Sequence, residues 1–175
     1  TQIVQKLGTA IKSFSPPVVL NGALSQIIVA SKLTPNLKIK FIEETFKFED
    51  GGSLKIELYP PNFYEMSNDA PVIFLLLGIC GSTREKYPRV ASKRASKLGY
   101  RTVIINKRGF ARTTLTSPRM FHKDEVDDFN TVINHFQNKY PTANKYLIGT
   151  SQGSMYTIKY LVKYANTTPI KSAVS

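Results

Sequence analysis

The sequence predicts an α/β fold: a mostly parallel sheet with helices on both faces and an antiparallel hairpin at its N-terminal edge. Two observations carry this expectation. Phe41 to Phe48 alternates as a strand, Glu49-Asp50-Gly51-Gly52 is a turn signal, and Leu54 to Tyr59 returns. From Val72 onward, short apolar runs of strand length alternate with segments of helical period, which is the sequence form of βα repeats and of a parallel sheet covered on both sides.

Taken in order, Asn21 to Lys32 reads as a short helix, preceded by an irregular stretch around Ser15-Pro16-Pro17. The organisation expected is an N-terminal extension over residues 1–40, holding that helix, and the start of an α/β domain over 41–175. After the hairpin, Pro60-Pro61 through Asp69 is loop. Val72 to Leu77 is a continuous apolar strand of the kind buried on both faces. A helix is predicted over Arg84–Leu98, stopped by Gly99, with Tyr87, Val90, Ala91, Ala95 and Leu98 as its buried stripe. Strand Arg101–Asn106 follows, then a long loop from Lys107 to Phe121. Helix Asp124–Tyr140 carries Val126, Phe129, Val132, Ile133 and Phe136 on one face, with acids in its first turn, and Pro141 ends it. Strand Lys145–Thr150, helix Gln152–Tyr164 and a strand beginning at Ile170 complete the pattern. There is no internal repeat and no low-complexity segment.

The 175 residues suffice to bury one core, and a hydrophobic content of 42% describes a globular protein. No apolar run approaches the roughly 20 residues of a membrane-spanning helix. The longest is Val72 to Cys80. The chain begins with Thr1 rather than Met, which is compatible with a removed signal, transit peptide or anchor. Cys80 is the single cysteine, so no internal disulfide forms; this fits a reducing, intracellular compartment. No ligand cluster suggests a metal site. The net charge of +12 speaks to partners without selecting one. Its densest group, Arg84, Lys86, Arg89, Lys93, Arg94 and Lys97, reads first as a solvated helix face. An anionic membrane surface is the second reading. Nucleic acid ranks last, because no recognised binding motif accompanies the charge.

The most informative stretch is Lys145-Tyr-Leu-Ile-Gly-Thr-Ser-Gln-Gly-Ser154. A strand ends in Gly149-x-Ser151-x-Gly153 and a helix follows. That is the setting a nucleophilic serine needs, because the serine sits on a sharp, strained turn with no room for neighbouring side chains. No Asp or Glu occurs after Asp128 and no His after His135, so the serine has no downstream acid or base among these residues.

With these elements placed, the chain resembles the α/β-hydrolase superfamily, and within it the branch of medium-chain esterases and membrane-anchored phospholipid and acylglycerol hydrolases. Asn21-Gly22-Ala23-Leu24-Ser25-Gln26 is similar to that branch's Asn-Gly-His-Leu-Gln-Thr signature, and Asp50-Gly51-Gly52 stands at its Asp-Gly turn. Leu77-Gly78-Ile79-Cys80-Gly81-Ser82 resembles its Pro-Gly-Leu-x-Gly-Ser oxyanion loop, and Asn106-Lys107-Arg108-Gly109 its Asn-x-Arg-Gly segment. Ser117-Pro118-Arg119-Met120-Phe121-His122 resembles its Pro-Arg-x-Tyr-His loop. The resemblance implies the first half of such an enzyme, stopping before the lid, the last strands and the triad acid and histidine.

It further implies that Ser151 is the acyl-accepting nucleophile and that the backbone N–H groups of Ile79 and Gln152 form the oxyanion hole. The implied substrate is a lipid or small ester, with no cofactor and no metal. His122 is expected to structure its loop, His135 to be a surface or packed helix residue, and Cys80 to be small filler. The alternative is a structural or interaction subunit that keeps half the fold, with a partner chain completing the sheet or even supplying the triad.

Overall fold

The computed structural model describes residues 22, 25, 26, 28, 29, 33, 36–79, 81–120, 122 and 126–175. It divides into two compact units, Thr1–Pro35 and Asn36–Ser175. In the first, Ser25, Gln26, Ile28, Val29 and Leu33 are helical, and the Gln26 N–H donates to the Gly22 carbonyl at 3.0 Å. The remainder of the helix expected over Asn21–Lys32 lies outside the described residues, as does Cys80.

The second unit is a six-stranded sheet in the order β1-β2-β4-β3-β5-β6. Strand β1 (Ile42–Lys47) pairs antiparallel with β2 (Ser53–Tyr59), as the hairpin pattern predicts. The turn between them is closed by the Gly52 N–H donating to Asp50 Oδ1 at 2.9 Å, an Asx turn. Strand β2 pairs antiparallel with β4 (Arg101–Ile105). Strand β3 (Val72–Leu76) lies between β4 and β5 (Lys145–Gly149), parallel to both, and β6 (Ile170–Val174) adds parallel to β5. Three helices alternate with these strands: α1 (Lys86–Lys97), α2 (Asp127–Lys139) and α3 (Gln152–Tyr164).

Strand alternation sends side chains to two faces. Leu54, Ile56, Leu58, Phe74, Leu76, Val103, Ile105 and Leu147 point to one, where they pack with Phe129, Val132, Ile133 and Phe136 of α2 and with Tyr156 and Tyr160 of α3. This is the main core. Leu75, Leu77 and Ile104 form a smaller cluster on the opposite face. That is the side of α1, whose Lys93 ammonium stands 6.0 Å over the Tyr59 ring.

The buried stripe of α1 is not the expected one. Tyr87 is 40% exposed and Leu98 75%. Pro88 and Ser92 face inward instead, with Ala95 and Ser96 half-buried. Val90 and Ala95 of the expected stripe are half-buried, so the inward face overlaps the expected one but is turned toward Pro88 and Ser92. The reason is size and polarity. Ser92, fully buried, lets the helix come close to the sheet, and Arg89 turns toward the protein to donate to the Leu37 carbonyl at 3.1 Å. The helix still ends at Gly99, which takes a φ of 82°.

Two buried arginines tie the loops to the sheet. Arg101 donates to the carbonyls of Phe63, Ala70 and Met66 at 2.9, 3.0 and 2.7 Å and stacks 4.0 Å from the Tyr140 ring, which fixes the segment between β2 and β3. Arg108 makes a bidentate pair with Asp128, 2.6 and 2.9 Å, and reaches Asp50 at 2.6 Å. It thereby joins the segment after β4 to the first turn of α2 and to the β1–β2 turn.

Breaking a buried pair leaves an uncompensated charge, which costs about 3–5 kcal/mol. Arg108→Met is therefore expected to lower stability by about that much in urea unfolding, through the stranded Asp128. The Asp50 carboxyl is held below its ordinary value of 3.8, first by the Arg108 hydrogen bond and then by the Gly52 N–H. Its contribution is fully present above pH 3.8 and is lost as pH falls through the lower folded value. Asp50→Asn is expected to flatten the fall of stability on acidification below that point, measured by unfolding at stepped pH.

Candidate active site

The site is built where β5 turns into α3. The Thr150 N–H donates to the Leu76 carbonyl at 3.0 Å, so the β3–β5 ladder continues to the turn. Ser151 then takes φ 55° and ψ −119°. A non-glycine residue pays roughly 1–3 kcal/mol for such backbone, and local bonds must hold it there. They are the Gly153 N–H to the Thr150 carbonyl, 2.9 Å, and the Ser154 N–H to the Ser151 carbonyl, 3.0 Å. Ser151 occupies the N-cap position of α3, yet its side chain makes no capping bond. An ordinary N-cap serine is extended and its side-chain oxygen accepts a hydrogen bond from a backbone N–H of the first turn; this one is exposed and makes no such bond.

Glycines on both sides of the serine make the turn possible. A Cβ on Gly153 would lie 1.9 Å from the Leu76 carbonyl oxygen, and one on Gly149 would lie 2.4 Å from the Gly153 carbonyl oxygen. The first turn of α3 therefore presses directly on the end of β3. Gly78, two residues past β3, meets the serine itself. Its missing Cβ would stand 3.2 Å from Ser151 Cβ and 3.6 Å from Ser151 Oγ. The backbone of the Gly78–Ile79 segment thus runs beside the hydroxyl, with Ile79 70% exposed and Gln152 half-buried as the first residue of α3.

Lys107 joins these two segments. It is buried, and its ammonium donates to Gln152 Oε1 at 2.7 Å and to the Gly78 carbonyl at 3.3 Å, with the Phe110 ring 4.5 Å away. A cavity of about 10 Å³, room for one water at most, lies among Leu77, Gly81, Lys107 and Tyr156. From α1, Tyr87 reaches the same turn and accepts a hydrogen bond from Thr150 Oγ1 at 3.3 Å.

The histidines divide differently. His122 is exposed in the loop before α2. His135 packs edge-on against Phe46 of β1 and Phe136, with ring centroids 5.4 and 5.3 Å apart. Its pKa is held below 6.5, first by desolvation among these rings and then by Lys139. Strand β1 stands four places from β5 in the sheet, about 19 Å at ~4.8 Å per step, so His135 belongs to a different region from Ser151. Lys107 is the residue that sequence reasoning left in a loop. Its signal was position: it follows β4 at the carboxyl edge of the sheet, where sites of open α/β folds form.

Residues 71–175 match the family model described as the alpha/beta hydrolase fold. The chain belongs to the α/β hydrolase fold family. Among its relatives, the bovine protein named phospholipase ABHD3 is 29% identical over 167 residues, covering 94% of this chain and 41% of that protein. The Saccharomyces cerevisiae protein named monoacylglycerol lipase is 26% identical over 129 residues, 71% of this chain and 29% of that one. The chain therefore spans about two fifths of the length of the phospholipase relatives it matches. A solved structure of a soluble variant of monoglyceride lipase from Saccharomyces cerevisiae superposes with a TM-score of 0.62 at 15% identity, over 79% of this chain and 45% of that one. Est1E from Butyrivibrio proteoclasticus, with ferulic acid bound, gives 0.59 at 17% identity, over 71% and 48%. At such identities these two structures speak to the fold alone.

In this α/β hydrolase fold chain the contact between α3 and β3 leaves no slack. Gly153→Ala places a methyl against a backbone oxygen, which only a shift of the helix relieves. The expected loss is at least about 2 kcal/mol in urea unfolding, accompanied by a changed environment for the aromatic residues of α3 in near-ultraviolet circular dichroism.

Proposed function

We propose that this chain carries the nucleophile and the oxyanion hole of a lipase-like serine esterase acting on acylglycerols, phospholipids or other medium-chain esters. The observation that carries the reading is the strained Ser151, held at positive φ with its hydroxyl free of the helix end and with Gly78 packed against it. The names of the relatives, phospholipase and monoacylglycerol lipase, support the ester-lipid substrate class.

In this reading Ser151 Oγ attacks the ester carbonyl carbon while a general base takes its proton. The negative charge that develops on the carbonyl oxygen is received by the N–H groups of Ile79 and Gln152, on the two segments that flank the serine. The tetrahedral intermediate collapses, the alcohol leaves with the proton returned by the base, and an acyl-serine remains. Water then repeats the sequence and releases the fatty acid. His135 is placed too far away to be that base. The base and its acid are assigned to residues outside these 175, either later in the same polypeptide or on a partner chain.

The test is made on the natural full-length polypeptide. A fluorophosphonate probe is expected to add its mass to the tryptic peptide Tyr146–Lys159, and Ser151→Ala is expected to abolish both that label and hydrolysis of monoacylglycerol. Undiminished hydrolysis by Ser151→Ala sinks the reading. So does a native polypeptide that neither continues beyond Ser175 with an Asp and then a His nor co-purifies with a chain supplying them; the interaction-subunit alternative then takes its place.

A further inference from the structure

We propose that Lys107 is a positioning residue that orients both donors of the oxyanion hole, an inference that rests on the esterase reading above. Two of its hydrogen-bond partners belong to opposite halves of that hole. One is the carbonyl of Gly78, 3.3 Å away, and the other is the side chain of Gln152, 2.7 Å away.

The Gly78 contact acts through peptide geometry. A peptide unit is planar and trans, so its C=O and N–H point in opposite directions. The carbonyl of Gly78 and the N–H of Ile79 share one such unit. Drawing the carbonyl onto the buried ammonium turns the Ile79 N–H the other way. The opposite setting would aim a carbonyl oxygen, rather than a donor, at the developing oxyanion and would repel it. Turning this peptide changes ψ of Gly78 and φ of Ile79 together, and a glycine, with no Cβ, resists the first less than another residue would. The Gly81 N–H also holds the Gly78 carbonyl, at 3.1 Å. Lys107 adds a charge-assisted bond, about twice as strong as a neutral one.

The Gln152 contact acts at the other donor. Gln152 is the first residue of α3, and its own N–H is the second half of the hole. Tying its side chain to Lys107 fixes the helix start relative to the Gly78 segment, so one ammonium sets the separation of the two donors.

The lysine is itself held from both sides along the chain. Before it, Asn106 Nδ2 donates to Glu57 Oε2 at 2.9 Å and to the Lys55 carbonyl at 3.1 Å. After it, Arg108 is clamped by Asp128 and Asp50. The side chain is thus delivered from rigid backbone. Burying an ammonium is costly unless donors are satisfied. Here two carbonyl oxygens and the face of Phe110 answer it.

The experiment compares wild type with Lys107→Met, Lys107→Arg and Gln152→Leu in the natural full-length polypeptide, with Ser151→Ala alongside. The substrate is p-nitrophenyl butyrate and the inhibitor a trifluoromethyl ketone, whose serine adduct carries an oxyanion. Lys107→Met is expected to lower kcat at least about tenfold with KM nearly unchanged, since loss of a whole oxyanion donor costs about 10²–10³. Inhibitor affinity is expected to fall in parallel, and Lys107→Arg to recover part of both. Gln152→Leu, which keeps the backbone donor, is expected to lower kcat several-fold; it decides the matter if Lys107→Met does not fold. A Lys107→Met enzyme with wild-type kcat and inhibitor affinity, or a Gln152→Leu enzyme with wild-type kcat where the lysine variant is unfolded, overturns the inference. Activity retained by Ser151→Ala instead overturns the esterase reading beneath it.

Discussion

The contact between Gly153 and the Leu76 carbonyl governs this structure. Only a residue without a side chain lets the first turn of α3 rest on the end of β3. Everything near the serine follows from that approach. It forces the chain to leave β5 and enter the helix within two residues, Thr150 and Ser151, and Ser151 absorbs the change in direction as strained backbone. It also brings the segment after β3 alongside the serine, so that Gly78 and Ser151 meet although 72 residues of sequence lie between them. The strain at Ser151 is affordable because the α3–β3 packing and the β3–β5 ladder hold it on both sides.

Around this contact the buried cations do the joining that apolar packing cannot. The main core lies on one face of the sheet, under α2 and α3. At the carboxyl edge Val126 and Phe48 reach that core, and charged contacts add to them. Arg108 binds the β1–β2 turn and the start of α2 at once. Arg101 does the same for the segment between β2 and β3, through three backbone carbonyls. Lys107, between the strand and Arg108, turns the same strategy toward the site. A positive charge with directed donors specifies a geometry more narrowly than an apolar side chain does, because its partners must lie at set distances and angles. Among the described residues most of the other lysines and arginines stay at the surface, where the basic side of α1 reads as a solvated face.

Much of the fold could be read from the sequence, and the parts that could not share a cause. The hairpin, the four later strands and the three helices follow from periodicity and turn residues, which are local. The strand ends differ by a residue, as at β3 and β4, which stop at Leu76 and Ile105. The inward face of α1 could be read only in part. Apolar spacing pointed to Tyr87, Val90, Ala91, Ala95 and Leu98; Val90 and Ala95 are half-buried, but the sheet takes the small Ser92 and the flat Pro88 in place of the others. On a helix so rich in lysine and arginine, few apolar residues remain to fix the phase, and the neighbour decides it.

The sequence by itself determined the class of fold, the place of the strained serine and the glycines that permit it. These are matters of backbone freedom and of patterns within a few residues. The tertiary structure decided the strand order, which sets His135 apart from Ser151 and brings β3 next to β5. It decided the partners of the buried charges as well. Nothing in the string Asn106-Lys107-Arg108-Gly109 says that one cation reaches Asp50 and Asp128 while its neighbour reaches Gly78 and Gln152. Those pairings depend on which loops the sheet order places side by side, and long-range proximity of that kind is written only in the folded chain.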